Sequence, residues 1–286
     1  MRLGVVGMCS DFRTLNQTEI EAIQKLQFTG VSYHFASSNI PHVSSDEITR
    51  CRHLLDKAQL DLVQFGITYA ECLFDPRSSV REAAVEAVNC GMSVARELGA
   101  FFYLFRPGSL NTDGAWTSHR DNHLPEAMGR LIETLKPIAE NAERETLTLV
   151  METHAISIMD SPETCKEVVD RVGSDRLRIV MDFVNHFQSL RQVYESKARL
   201  NHIFDVMGPV APMAHIKDIR VENGLVLHLN EEVPGEGELE IGIALKRFDA
   251  LYPDGYGLIE HLPLEKIPLA NANVRKIAAE NGVNIY

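Results

Sequence analysis

Leu147-Thr148-Leu149-Val150-Met151-Glu152, Arg178-Ile179-Val180-Met181-Asp182, Met213-Ala214-His215-Ile216-Lys217 and Gly257-Leu258-Ile259-Glu260 follow one pattern. Each is a short apolar run, rich in β-branched residues, that carries a carboxylate or an imidazole at or near its end. Runs of this length and composition read as parallel strands buried on both faces. Working outward, four runs of the same kind stand upstream, at Leu3–Gly7, Gly30–Phe35, Leu60–Ile67 and Phe101–Phe105. With Leu147–Glu152, Leu177–Asp182, Met213–Lys217 and Gly257–Glu260 they make eight.

The intervening segments carry helix signals. Ser44 with Glu47, and Ser79 with Glu82, have the spacing of a capping box, in which a hydroxyl and a carboxylate satisfy exposed backbone donors. Ser161-Pro162-Glu163 supplies an N-cap, a first-turn proline and an acid at the positive end of the helix dipole. From Leu124 to Glu145, residues Met128, Leu131, Leu135, Ile138 and Ala142 line one side of a helix. Strands alternating with helices mean a parallel sheet, and eight such units in 286 residues mean an α/β fold of one (β/α)8 barrel domain over 1–286. An open doubly wound sheet is the structural rival, but Gly4 and Gly7 do not extend to GxGxxG.

Hydrophobic residues make up 45% and charged residues 24% of the chain, enough for a core that needs no staple, so a bound metal would be functional. The net charge of −12, with no basic run, argues against nucleic acid as a partner. Cys9, Cys51, Cys72, Cys90 and Cys165 are scattered without a CxxC pair, which reads as a reduced, cytoplasmic chain. The opening residues run into a strand too soon for a signal peptide, and no apolar stretch approaches membrane-spanning length.

In such a barrel the active site forms where the strands end. A carboxylate placed directly after an apolar run needs a partner, since burying it alone costs several kcal/mol. Glu152, Asp182, His215 and Glu260 converge on one barrel mouth, and a shared cation is the economical partner. Three carboxylates and one imidazole suit Mn2+ or Mg2+, with Co2+ as a further alternative; zinc would call for more nitrogen or sulfur.

Other residues near the same end are softer candidates. Asn185 and His186 follow Asp182 and either face a substrate or begin a surface helix. His154 either positions substrate or is a structural rim histidine. Lys217 and Asp218 either serve the site or pair with each other. Arg106 leaves the fourth strand into a long polar loop carrying Trp116, which either closes over a sugar-like ring or packs on its own helix. Pro234-Gly235-Glu236-Gly237 is a tight turn whose glycines either bring backbone to the metal site or simply make the turn.

The succession Glu152, Asp182, His215-x-Lys217-Asp218, Gly235-Glu236-Gly237 and Glu260 resembles the xylose isomerase-like superfamily, and within it the ketose 3-epimerases, hydroxypyruvate isomerases and inosose-processing enzymes. The resemblance spans the chain, with its motifs in the second half. It implies that Glu152, Asp182, His215 and Glu260 hold a divalent metal, and that Glu152 and Glu260 act as a proton-transfer pair on opposite faces of a bound ketose. Two positions depart from the epimerase pattern. The histidine expected three residues after Asp182 is Asn185, with His186 next to it, and the arginine expected six after His215 is Val221, with Arg220 next to it. Endonuclease IV resembles this chain in fold and Gly-Glu-Gly turn, but its Asp-x-His is represented by His228 alone.

The function expected is a metal-dependent isomerase or epimerase of a ketose or keto-polyol, working by carboxylate proton transfer through an enediolate. The alternative is a lyase of the same superfamily: a keto-inositol dehydratase, a decarboxylase, or a subunit cleaving 3-oxo-glycosides or carbon-glycosides. An endonuclease IV-like repair enzyme and a non-catalytic sugar binder rank below these. The partner expected is a small sugar or keto-polyol, with no membrane and no nucleic acid, and self-association is left open.

Overall fold

The computed structural model describes all residues, Met1–Tyr286. Eight parallel strands close into a barrel: β1 (Arg2–Val6), β2 (Gly30–Ala36), β3 (Asp61–Thr68), β4 (Phe102–Phe105), β5 (Thr148–Met151), β6 (Leu177–Met181), β7 (Met213–Ile216) and β10 (Tyr256–Ile259). The last strand pairs with the first, Leu3 opposite Gly257 and Val5 opposite Ile259. The strand ends agree with the sequence reading to within one residue. No helix is long and apolar enough to cross a membrane.

Side chains on a strand alternate between its two faces, and this alternation sorts the barrel into two cores. Leu149, Met151, Ile179, Met181, Ile216 and Ile259 point outward into the layer between strands and helices. Val63, Leu104, Val150, Val180, Met213, Tyr256 and Leu258 fill the barrel's interior. Two residues beyond Val150, Val180, Met213 and Leu258 come Glu152, Asp182, His215 and Glu260. The period of two therefore stacks four polar groups directly on an apolar floor.

The helices follow their start signals with one exception. Ser44 and Glu47 form a complete capping box at the helix Ser45–Ala58, and Ser161 caps Pro162–Val172. The helix Pro125–Glu145 buries Leu131, Leu135, Ile138 and Ala142, with Met128 half-buried. The expected capping box of Ser79 and Glu82 does not form. That helix, Ser78–Asn89, starts two residues earlier, with Arg77 at the cap and no side-chain cap. The Asp75 carboxylate binds both the Arg77 amide, at 2.9 Å, and its guanidinium, and so sets the turn before Ser79 could cap it.

One element escaped the sequence reading. β8 (Asp218–Val221) and β9 (Leu229–Glu232) form an antiparallel hairpin between β7 and its helix. Asn223-Gly224 at its tip is a recognised turn signal, but the strands are four residues each and carry charged side chains, so the periodicity was weak.

Candidate metal centre and active site

Glu152, Asp182, His215 and Glu260 each offer a ligand atom, and these atoms all lie within 4.8 Å of one another. His215 Nδ1 stands 2.9 Å from Glu260 Oε1 and 3.5 Å from Asp182 Oδ2. Asp182 is further held by the Asn185 side-chain amide, which donates to Oδ2 at 2.8 Å. Asp182 Oδ1, His215 Nδ1 and Glu260 Oε1 are buried and make no hydrogen bond of normal geometry. Buried polar atoms are nearly always satisfied; Asp182 Oδ1 has no hydrogen bond, and His215 Nδ1 and Glu260 Oε1 meet one another without hydrogen-bond geometry, so ligand atoms gathered this closely fit a cation. Three carboxylates and an imidazole are a donor set for a hard or borderline divalent ion.

Lys217 completes the charge cluster. Its Nζ lies 2.7 Å from Asp182 Oδ2 and 2.9 Å from Glu260 Oε1, and the side chain is 2% exposed. Burial disfavours charge on Glu260, but the neighbouring His215 and Lys217 cations overcome this and hold its carboxyl well below the usual range. Asp182 is lowered in the same way, with Lys217 the main opponent of burial. Glu152 has no such contact. Burial, reinforced by the Glu260 charge, pushes it up to about 7. Burial also works against a charged His215, yet Glu260 and Asp182 bring it up to about 10.

Above the cluster opens a cavity of about 510 Å3, lined among others by Glu152, Glu260, His34, Arg106, Trp116, His154, Asn185, Glu231 and His261. Trp116 is 40% exposed, and its ring centre is 6.0 Å from that of His154. Its loop is anchored by buried Asn122, which accepts from the Leu110 amide and donates to Ser109 Oγ and the Ile156 carbonyl. Arg106 reaches the cavity but donates a hydrogen bond to the Tyr69 carbonyl and lies over the Tyr69 ring.

Several candidates from the sequence sit elsewhere. His186 is fully buried, with Nε2 2.9 Å from Thr153 Oγ1, and is absent from the cavity lining. Burial drives its pKa down to about 4, which favours the neutral ring. Lys217 faces the carboxylates rather than the cavity. The pairing of Lys217 with Asp218 does not occur, because adjacent residues on a strand point to opposite faces. Asp218 instead accepts backbone N–H bonds from Ile219, Gly235, Gly237 and Leu239, at 2.8, 3.0, 3.0 and 3.2 Å. The Gly-Glu-Gly turn is thus wrapped around a carboxylate. A Cβ on Gly237 would collide with Asp218, and Gly235 adopts φ +86°.

His34, Gln64, Glu231 and His261 were not singled out from the sequence as site residues. Ser32 and His34 on β2 face inward, and a register shift between β2 and β3 at Val31/Ser32 brings Gln64 inward beside them although its neighbour Val63 also fills the interior, which strand periodicity alone does not show. Glu231 arrives on the unforeseen hairpin, where it accepts from His261 Nδ1 at 3.1 Å. That bond raises the His261 pKa.

Solved structures of low identity share the fold over nearly the whole chain. D-psicose 3-epimerase from Clostridium cellulolyticum H10, with D-tagatose, superposes with TM-score 0.72 at 13% identity, covering 98% of this chain and 99% of the other. The 3-keto-D-glucoside 4-epimerase from E. coli gives 0.70 at 12%, covering 98% and 99%. The probable 3-DHS dehydratase AsbF from Bacillus anthracis gives 0.70 at 14%, covering 97% and 99%. No curated protein matches the sequence. The family model described as xylose isomerase-like TIM barrel matches residues 20–283, and the chain belongs to that family.

Proposed function

We propose that this protein is a divalent-metal-dependent isomerase or epimerase of a ketose or keto-polyol, with Glu152 and Glu260 as its proton-transfer pair. The observation that carries the reading is the placement of both carboxylates on the lining of one cavity, at the ends of β5 and β10, in unlike environments. Moving a proton at a carbon beside a carbonyl needs one group to remove it and one to return it, and two carboxyls of different acidity suit that division. Glu152, Asp182, His215 and Glu260 would hold the cation, Mn2+ by donor type, with Mg2+ or Co2+ as alternatives. When bound, it supplies positive charge that stabilises the oxygen charge developed as the carbon loses its proton. His154, Asn185, Arg106 and Trp116 line the cavity and would bind and orient the substrate, Trp116 offering a flat apolar face to a sugar ring.

The rim pair His261 and Glu231 favours a second reading, a lyase. Elimination needs an acid for the departing oxygen, and a histidine whose proton is held by a neighbouring carboxylate provides one.

The test is solvent deuterium exchange. Protein loaded with Mn2+ is offered ketoses, keto-inositols and 3-oxo-glycosides in D2O. Metal-dependent deuterium entry beside the carbonyl is expected, and Glu260→Gln should slow it by roughly 10²–10⁴-fold. An epimer as product supports the first reading and an eliminated product the second. Undiminished exchange in Glu260→Gln removes that residue from the chemistry.

A further inference from the structure

Gln64 is fully buried inside the barrel on β3, directly opposite Ser32 in the strand register. Its carboxamide oxygen lies 2.9 Å from His215 Nε2, and its nitrogen lies 3.0 Å from Ser32 Oγ and 3.4 Å from His34 Nε2. We propose that Gln64 is a positioning residue that selects which nitrogen of His215 carries the proton, leaving Nδ1 free to bind the cation. This rests on the metal-dependent reading above.

The argument is one of donor and acceptor matching. An amide oxygen only accepts and an amide nitrogen only donates. The amide nitrogen lies beside the Ser32 hydroxyl and the His34 ring, both of which can accept from it, and this placement puts the oxygen on the opposite side. The oxygen then faces His215, whose Nε2 must bear the hydrogen. A neutral imidazole protonated at Nε2 has its lone pair at Nδ1, and Nδ1 is the atom that converges with Asp182 and Glu260. Outer partners of this kind fix the tautomer and ring orientation of metal-binding histidines, and their loss typically costs 10–100-fold in affinity. His34 also lines the substrate cavity, so the chain His34–Gln64–His215 connects that cavity to the cation site.

The opposite assignment is chemically distinct. With the amide turned over, its nitrogen would donate to His215 Nε2, and Nδ1 would carry its proton toward Glu260, closing the ligand position.

The experiment compares wild type, Gln64→Met and Gln64→Glu, stripped of metal and titrated with Mn2+ by calorimetry. In parallel, long-range 1H–15N spectra of Mg2+-loaded wild type locate the proton on His215. Gln64→Met should weaken Mn2+ binding by roughly 10–100-fold, while Gln64→Glu, which keeps an acceptor, should retain affinity within a few-fold. The spectra should show the proton on Nε2. Unchanged affinity in Gln64→Met, or a proton on Nδ1 in the loaded wild type, overturns the proposal. The spectra need no variant, so they decide the matter even if Gln64→Met does not fold. If wild type itself binds no divalent ion, the metal reading fails first and this inference with it.

Discussion

The Lys217 ammonium stands 2.7 Å from the Asp182 carboxylate, inside the group of side chains spaced to hold a cation. Two residues earlier on the same inward face of the chain, His215 makes the corresponding contact with Glu260. The cluster thus has internal cations that balance its carboxylates. Each is expected to respond differently when a metal is added or a charge removed.

Lys217→Met should destabilise the metal-free protein by roughly 3–5 kcal/mol, because removing one member of a buried ion pair leaves the other uncompensated. A bound divalent ion replaces the missing charge, so the gain in stability on adding Mn2+ should be larger than in wild type. Urea unfolding with and without Mn2+ measures both. Equal stabilisation of the two proteins by Mn2+ would contradict the account.

Metal binding should depend steeply on pH. His215 is raised to about 10 and Glu152 to about 7, so both carry protons that a cation must displace at the acidic end. Mn2+ affinity should therefore rise about a hundredfold per pH unit below pH 7 and about tenfold per unit above it. For stability the sign follows from the raised histidine. Its contribution to the metal-free fold is complete below about pH 6.5, the usual imidazole value, and is lost as pH rises through about 10. Calorimetric titrations across the neutral range, paired with thermal melts of metal-free protein, test both statements.

Asp218→Ala should cost about 3 kcal/mol, because four backbone N–H groups lose the buried carboxylate that accepts from them. Amide hydrogen exchange should quicken at Gly235, Gly237 and Leu239 first. Retained protection there would show that other contacts hold the turn.

Trp116→Ala should leave unfolding free energy within about 0.5 kcal/mol, as for a surface side chain outside the core. It should raise KM with little change in kcat, the pattern of uniform substrate binding. In wild type the single tryptophan should report substrate through its fluorescence. A substrate that turns over without altering that signal would place Trp116 outside the binding site.

Much of this protein was decided by short-range pattern. Apolar, β-branched runs at barrel spacing can be buried only as parallel strands, and the period of two puts Glu152 above Val150, Asp182 above Val180, His215 above Met213 and Glu260 above Leu258. Those relations lie within a few residues, so the amino-acid order alone determined the barrel and the convergence of these four side chains. The partners of charges and amides were decided by closure. Gln64 meets His215 across 151 positions of sequence, Lys217 turns to Asp182 and Glu260 rather than to adjacent Asp218, and the hairpin brings Glu231 to His261. A hydrogen bond or ion pair depends on distances of a few ångströms in three dimensions, and no local periodicity sets those until every strand has found its neighbour.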